Sequence, residues 1–90
     1  MKKILLVSVM VALSAAAVAG PKCTSGDDRT KWIPEDQFKQ KLMDEGYDLK
    51  KFKTTSGGCY EIYGHNAQGQ KVEIYYNPET AAVVKEEIDD

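Results

Sequence analysis

An α+β fold, with one N-terminal helix packed on a three- to four-stranded antiparallel meander, is predicted by three observations. Residues 34–45 carry helical periodicity. From Tyr47 onward apolar residues alternate with polar ones. The breaks between the alternating runs are short and built from Gly, Asn and Pro.

Before the domain comes an export address. Met1 is followed by Lys2 and Lys3, then by an apolar or small run from Ile4 to Ala19 that ends in Ala17-Val18-Ala19 before Gly20-Pro21. A basic start, an apolar middle and an A-x-A site predict a cleavable signal peptide over residues 1–19. The run falls short of the roughly 20 apolar residues of a membrane span, and Lys22 stands where a lipoprotein site would need a small residue before Cys23. The chain is therefore expected to be cut near Ala19/Gly20 and to act in the periplasm with no stable membrane anchor. Removing 19 of the 90 residues leaves 71, with ten basic against 14 acidic side chains and a net charge of −4. That balance disfavours nucleic acid and anionic membrane surfaces as partners.

Gly20 to Lys31 is polar and turn-rich, and reads as a flexible arm that is tethered only if Cys23 is bonded. Trp32 and Ile33 lead into a helix from Pro34 to Glu45. Proline at a first helical position and Glu35 and Asp36 in the first turn favour initiation, because φ is already set and acidic groups suit the positive helix end. Phe38, Leu42 and Met43 form a narrow apolar stripe, and Gly46 supplies the left-handed stop.

Strands follow at about Leu49 to Thr55, Cys59 to Gly64, Val72 to Tyr76 and Ala81 to Ile88, the last with Val83 and Val84 at its centre. Tyr47 and Leu49 share a parity that Phe52 breaks, so the first strand either carries a bulge or shows apolar groups on both faces. Tyr60, Ile62, Val72 and Ile74 are expected to meet the helical stripe, with Trp32 or Tyr47 closing one end. Tyr63 and Tyr75 have the opposite parity and belong to a face expected to stay wet. Lys50, Lys51 and Lys53 around Phe52 read as a solvated strand face or, alternatively, a patch for an acidic partner.

Domains this small often need a covalent staple. Cys23 and Cys59 are the only cysteines and both survive cleavage, so one disulfide is expected. There is no C-x-x-C and His65 is the only histidine, so neither thioredoxin-like chemistry nor a four-ligand zinc site is supported.

From Trp32 to Glu86 the chain resembles the PepSY domain. The matching features are the Trp-plus-helix opening, Gly46-Tyr47 before a strand, Cys59-Tyr60-Glu61-Ile62-Tyr63-Gly64, and Gly69 before Lys71-Val72-Glu73-Ile74-Tyr75-Tyr76. Asn77-Pro78-Glu79-Thr80 resembles the family's Asp-Pro-x-Thr-Gly turn, with Asn77 in place of aspartate and Ala81 in place of glycine. The resemblance implies an extracytoplasmic, non-enzymatic module that binds or inhibits peptidases.

The residues themselves offer little catalytic chemistry. His65 lies in a hairpin loop, Ser25 and Ser56 lack a G-x-S-x-G context, and Glu61 and Glu73 form an acid pair on paper only. No catalytic, metal or cofactor residue is assigned. Tyr63 and Tyr75 are the candidate binding face, since tyrosine brings large apolar area at low rotamer cost, although it is also an ordinary sheet residue. The leading expectation is an exported module that binds a protein or peptide partner, a peptidase among them, with an extended segment added to a sheet edge. The alternatives are an accessory of an envelope redox or haem system, suggested by compartment and cysteine pair, and a small hydrolase, which would have to cluster His65, Glu61 and Glu73.

Overall fold

The computed structural model describes residues 20–25 and 28–89. The expected signal peptide lies outside the described residues. Helix α1 (Glu35–Asp44) precedes four strands, β1 (Asp48–Thr54), β2 (Tyr60–His65), β3 (Lys71–Tyr76) and β4 (Val83–Asp89). The strands form one sheet in the order β1-β2-β3-β4, each neighbour antiparallel. This is the predicted α+β arrangement with its fourth strand formed.

Pro34 caps the helix from outside (φ −55°, ψ 142°) rather than occupying its first turn. Ion pairs Lys39–Glu35 (3.0 Å) and Lys41–Glu45 (2.7 Å) run along the exposed side. At the far end Gly46 takes φ +100°. Its N–H donates to the Met43 carbonyl and that of Tyr47 to the Leu42 carbonyl, both at 3.0 Å, so two otherwise orphaned carbonyls are satisfied by a Schellman stop.

Phe38 and Leu42 are buried against the sheet, but Met43 is 48% exposed. The expected three-residue stripe is therefore two residues wide: Phe38 and Leu42 stand one turn apart on one line, while Met43 is rotated by about 100° from Leu42. Phe38 sits at the centre of an aromatic cluster, with ring centroids 5.0 Å from Tyr60, 5.1 Å from Tyr76 and 6.0 Å from Phe52, all edge-on. Tyr60, Ile62, Val72 and Ile74 fill the inner face as expected. Tyr76 joins them, and it is Trp32 that closes the end, edge-on to Tyr60, with Tyr47 only partly buried.

Of the two options for β1, the bulge is the one found. Leu49 pairs with Gly64 and Lys51 with Tyr63, which leaves Lys50 as the extra residue and lets both Leu49 and Phe52 pack on the core. In β4, by contrast, Val83 and Val84 do not sit in the core: they are 53% and 43% exposed. A second irregularity lies between Tyr75 and Tyr76, where the β4 partner jumps from Lys85 to Val83.

The arm is tied down. Cys23 and Cys59 are bonded (S–S 2.05 Å, Cα–Cα 5.1 Å). The Cys23 N–H donates to the Gly57 carbonyl (2.8 Å) and Thr24 Oγ1 to the Gly58 carbonyl (3.0 Å). A Cβ on Gly57 would strike Pro21 and one on Gly58 would strike Thr24, so the glycine pair before Cys59 is what lets the arm approach this closely.

Candidate binding face

The sheet face opposite the helix is ordered in rows across the four strands. One row runs Lys53, Glu61, Tyr75, Lys85; the next runs Lys51, Tyr63, Glu73, Glu87. Alternation along each strand put the two tyrosines and two glutamates on this face, and register set them diagonally. Glu61 faces Tyr75, Glu73 faces Tyr63, and the carboxylates are diagonal rather than directly opposed neighbours.

This face is not uniformly wet, contrary to expectation. Glu61 is only 4% exposed. Tyr63 and Tyr75 stand on either side of it, and the arm reaches over one of them, with Gly20 lying against the Tyr75 ring. Burial, followed by hydrogen bonding to Glu73, pushes the Glu61 carboxyl above its usual range. Glu73 moves the other way, chiefly because it accepts from Glu61, and it also accepts from the Tyr75 hydroxyl at 3.1 Å. Burial and the hydrogen bond between them thus push the titrations of the two carboxyls apart. Hydrogen bonding to the glutamates, Glu61 foremost, keeps the Tyr63 phenol protonated well above its ordinary value; burial and then Glu73 do the same for Tyr75.

Lysines border the aromatic pair. Lys53 and Lys51 Nζ lie 5.6 and 5.8 Å from the Tyr63 centroid, and Lys85 Nζ lies 5.9 Å from that of Tyr75. Beside Tyr63 a cavity of about 340 Å³ is lined by His65, Lys71, Glu73 and Glu87 among others. His65 itself approaches Asp48 Oδ2 at 4.0 Å. It is four residues from Glu61 on the same strand, about 13 Å at strand rise, so the trio required by a small hydrolase is not assembled. Among the described residues no three His, Cys, Asp or Glu side chains gather as a metal set, and no helix is long and apolar enough to cross a membrane.

Cys59 is fully buried and the bridge joins the arm to the start of β2, the position of a staple. Asn77 also plays a part that its place in the turn pattern did not reveal. Its Oδ1 accepts from the Glu79 and Thr80 N–H groups (2.8 and 3.3 Å), as an aspartate would, while its Nδ2 donates to the Cys23 carbonyl at 3.4 Å, which an aspartate could not do.

A single helix over a four-stranded meander, with a glycine-stopped helix and an Asx turn before the last strand, defines a small α+β module. The chain belongs to the PepSY_2 family, described as the peptidase propeptide and YPEB domain, whose family model matches residues 3–87. Neither the curated proteins nor the solved structures contain a match.

Proposed function

We propose that this chain is an exported, non-enzymatic binding module that contacts a peptidase or an extended peptide, and that it acts as a propeptide-like inhibitor. Membership of a family described by peptidase propeptides is the observation that carries the reading. Family and disulfide are both consistent with an exported protein. The contact surface is the outer sheet face. Tyr63 and Tyr75 bring apolar area already held in place by Glu61 and Glu73, and Lys51, Lys53 and Lys85 at the border select acidic or carbonyl-rich partners. An extended partner segment can add to the sheet through backbone pairing at an edge.

The test uses the chain as secreted. N-terminal sequencing is expected to begin at Gly20, and titration against a panel of exported peptidases is expected to show saturable inhibition. Tyr63→Ala and Tyr75→Ala, with far-UV circular dichroism unchanged, should each weaken it by about tenfold, the effect of a removed aromatic anchor. Absence of both inhibition and a stable complex across the panel would refute the proposal.

A further inference from the structure

β4 is exposed at every residue. Three of the four large apolar side chains exposed among the described residues, Val83, Val84 and Ile88, lie on this one strand, and it pairs only with β3. A seven-residue edge strand without proline offers unpaired backbone groups to another strand, and its four charged residues restrict which strands can pair with it.

We infer that β4 pairs antiparallel with β4 of a second copy, about a two-fold axis at Glu86, to give one continuous eight-stranded sheet. Directly opposed residues in such a pair share a face, so the axis must fall at a residue. At Lys85 it would set lysine against lysine and Val84 against Glu86. At Glu87 it would set glutamate against glutamate and Ile88 against Glu86. At Glu86 it sets Lys85 against Glu87 twice on the outer face and Val84, the residue that the β3 register skips, against Ile88 twice, leaving Glu86 opposite itself and Val83 opposite Asp89 at the two ends. Within one copy Lys85 already pairs with Glu87 of its own strand at 3.4 Å, but both side chains are about half exposed (49% and 59%), so exchanging that partner for the same group on the second copy costs little. The pairing is isologous and closes after two chains.

This inference goes beyond the peptidase reading and is tested separately from it, by sedimentation equilibrium of the secreted chain over a concentration series. A monomer–dimer equilibrium is expected. Lys85→Glu and Glu87→Lys each turn two attractions into repulsions and should weaken it by about tenfold or more. An equimolar mixture of those two variants restores both contacts and should dimerise again as a heterodimer. Glu86→Gln removes the like-charge contact on the axis and should tighten the dimer. A chain that stays monomeric throughout, leaving β4 for a foreign strand, would overturn the inference. So would a dimer that none of these exposed substitutions alters.

Discussion

At the scale of single residues, two departures from the family's turn pattern have opposite consequences. Asn77 keeps the turn and adds a tie to the arm. Ala81 takes the place of glycine while holding φ at +66°, a region that a β-carbon strains. Ala81→Gly is therefore expected to raise stability by about 1 kcal/mol in urea unfolding, the strain relieved exceeding the entropy lost to a freer unfolded chain. Glu61 gives a pH signature. Its carboxyl is raised in the fold, so the stability it contributes is complete below its ordinary 4.5 and is lost as pH climbs through the raised value. Glu73 is lowered, so its contribution is present above 4.5 and is lost as pH falls through the depressed value. Glu61→Gln keeps a donor for Glu73 without a titrating proton. Thermal melts should show the variant gaining on the parent as pH rises from 4.5 toward neutrality, and an unchanged difference across that range would contradict the raised titration of Glu61.

At the scale of elements, the helix is held by a narrow contact. Phe38 is fully buried among three aromatic rings, whereas Met43 on the same helix is half exposed. Phe38→Ala should cost about 3–5 kcal/mol, enough to unfold most of so small a domain. Met43→Ala should stay within about 0.5 kcal/mol, as surface changes do. Denaturant midpoints of the two variants decide the matter, and equal losses would mean that the stripe is three residues wide after all. Periodicity identified the helix but not its rotation about its own axis, because i, i+4 and i, i+5 spacings both fit an apolar stripe. Only the sheet below selected which line is covered.

At the scale of the whole molecule, the disulfide is the long-range closure. It spans a sequence separation of 36 and brings the arm, the Gly57–Gly58 turn and Asn77 to one end of the sheet. The chain-entropy relation gives about 4 kcal/mol for a loop of this length, a large share of what a domain of this size possesses. Cys23→Ala together with Cys59→Ala should lower the denaturation free energy by that order. The arm should then become the first segment to exchange its amide protons, because the residues that tie it down lie near the surface. A double variant as stable as the parent would remove the staple from the account.

Element order, strand alternation, the bulge option in β1 and the cysteine pair were all legible in the sequence by itself. They depend on local periodicity, turn chemistry and composition, which a chain displays without folding. Membership of the PepSY family was legible too, from the run of motifs between Trp32 and Glu86 and the turn at Asn77. Tertiary structure decided the rest: the exposure of Met43, Val83 and Val84, the burial of Glu61, the diagonal meeting of two carboxyls, and the second role of Asn77. Each depends on which element lies over which, and on a register that joins residues far apart in the chain. Period and propensity do not encode those relations.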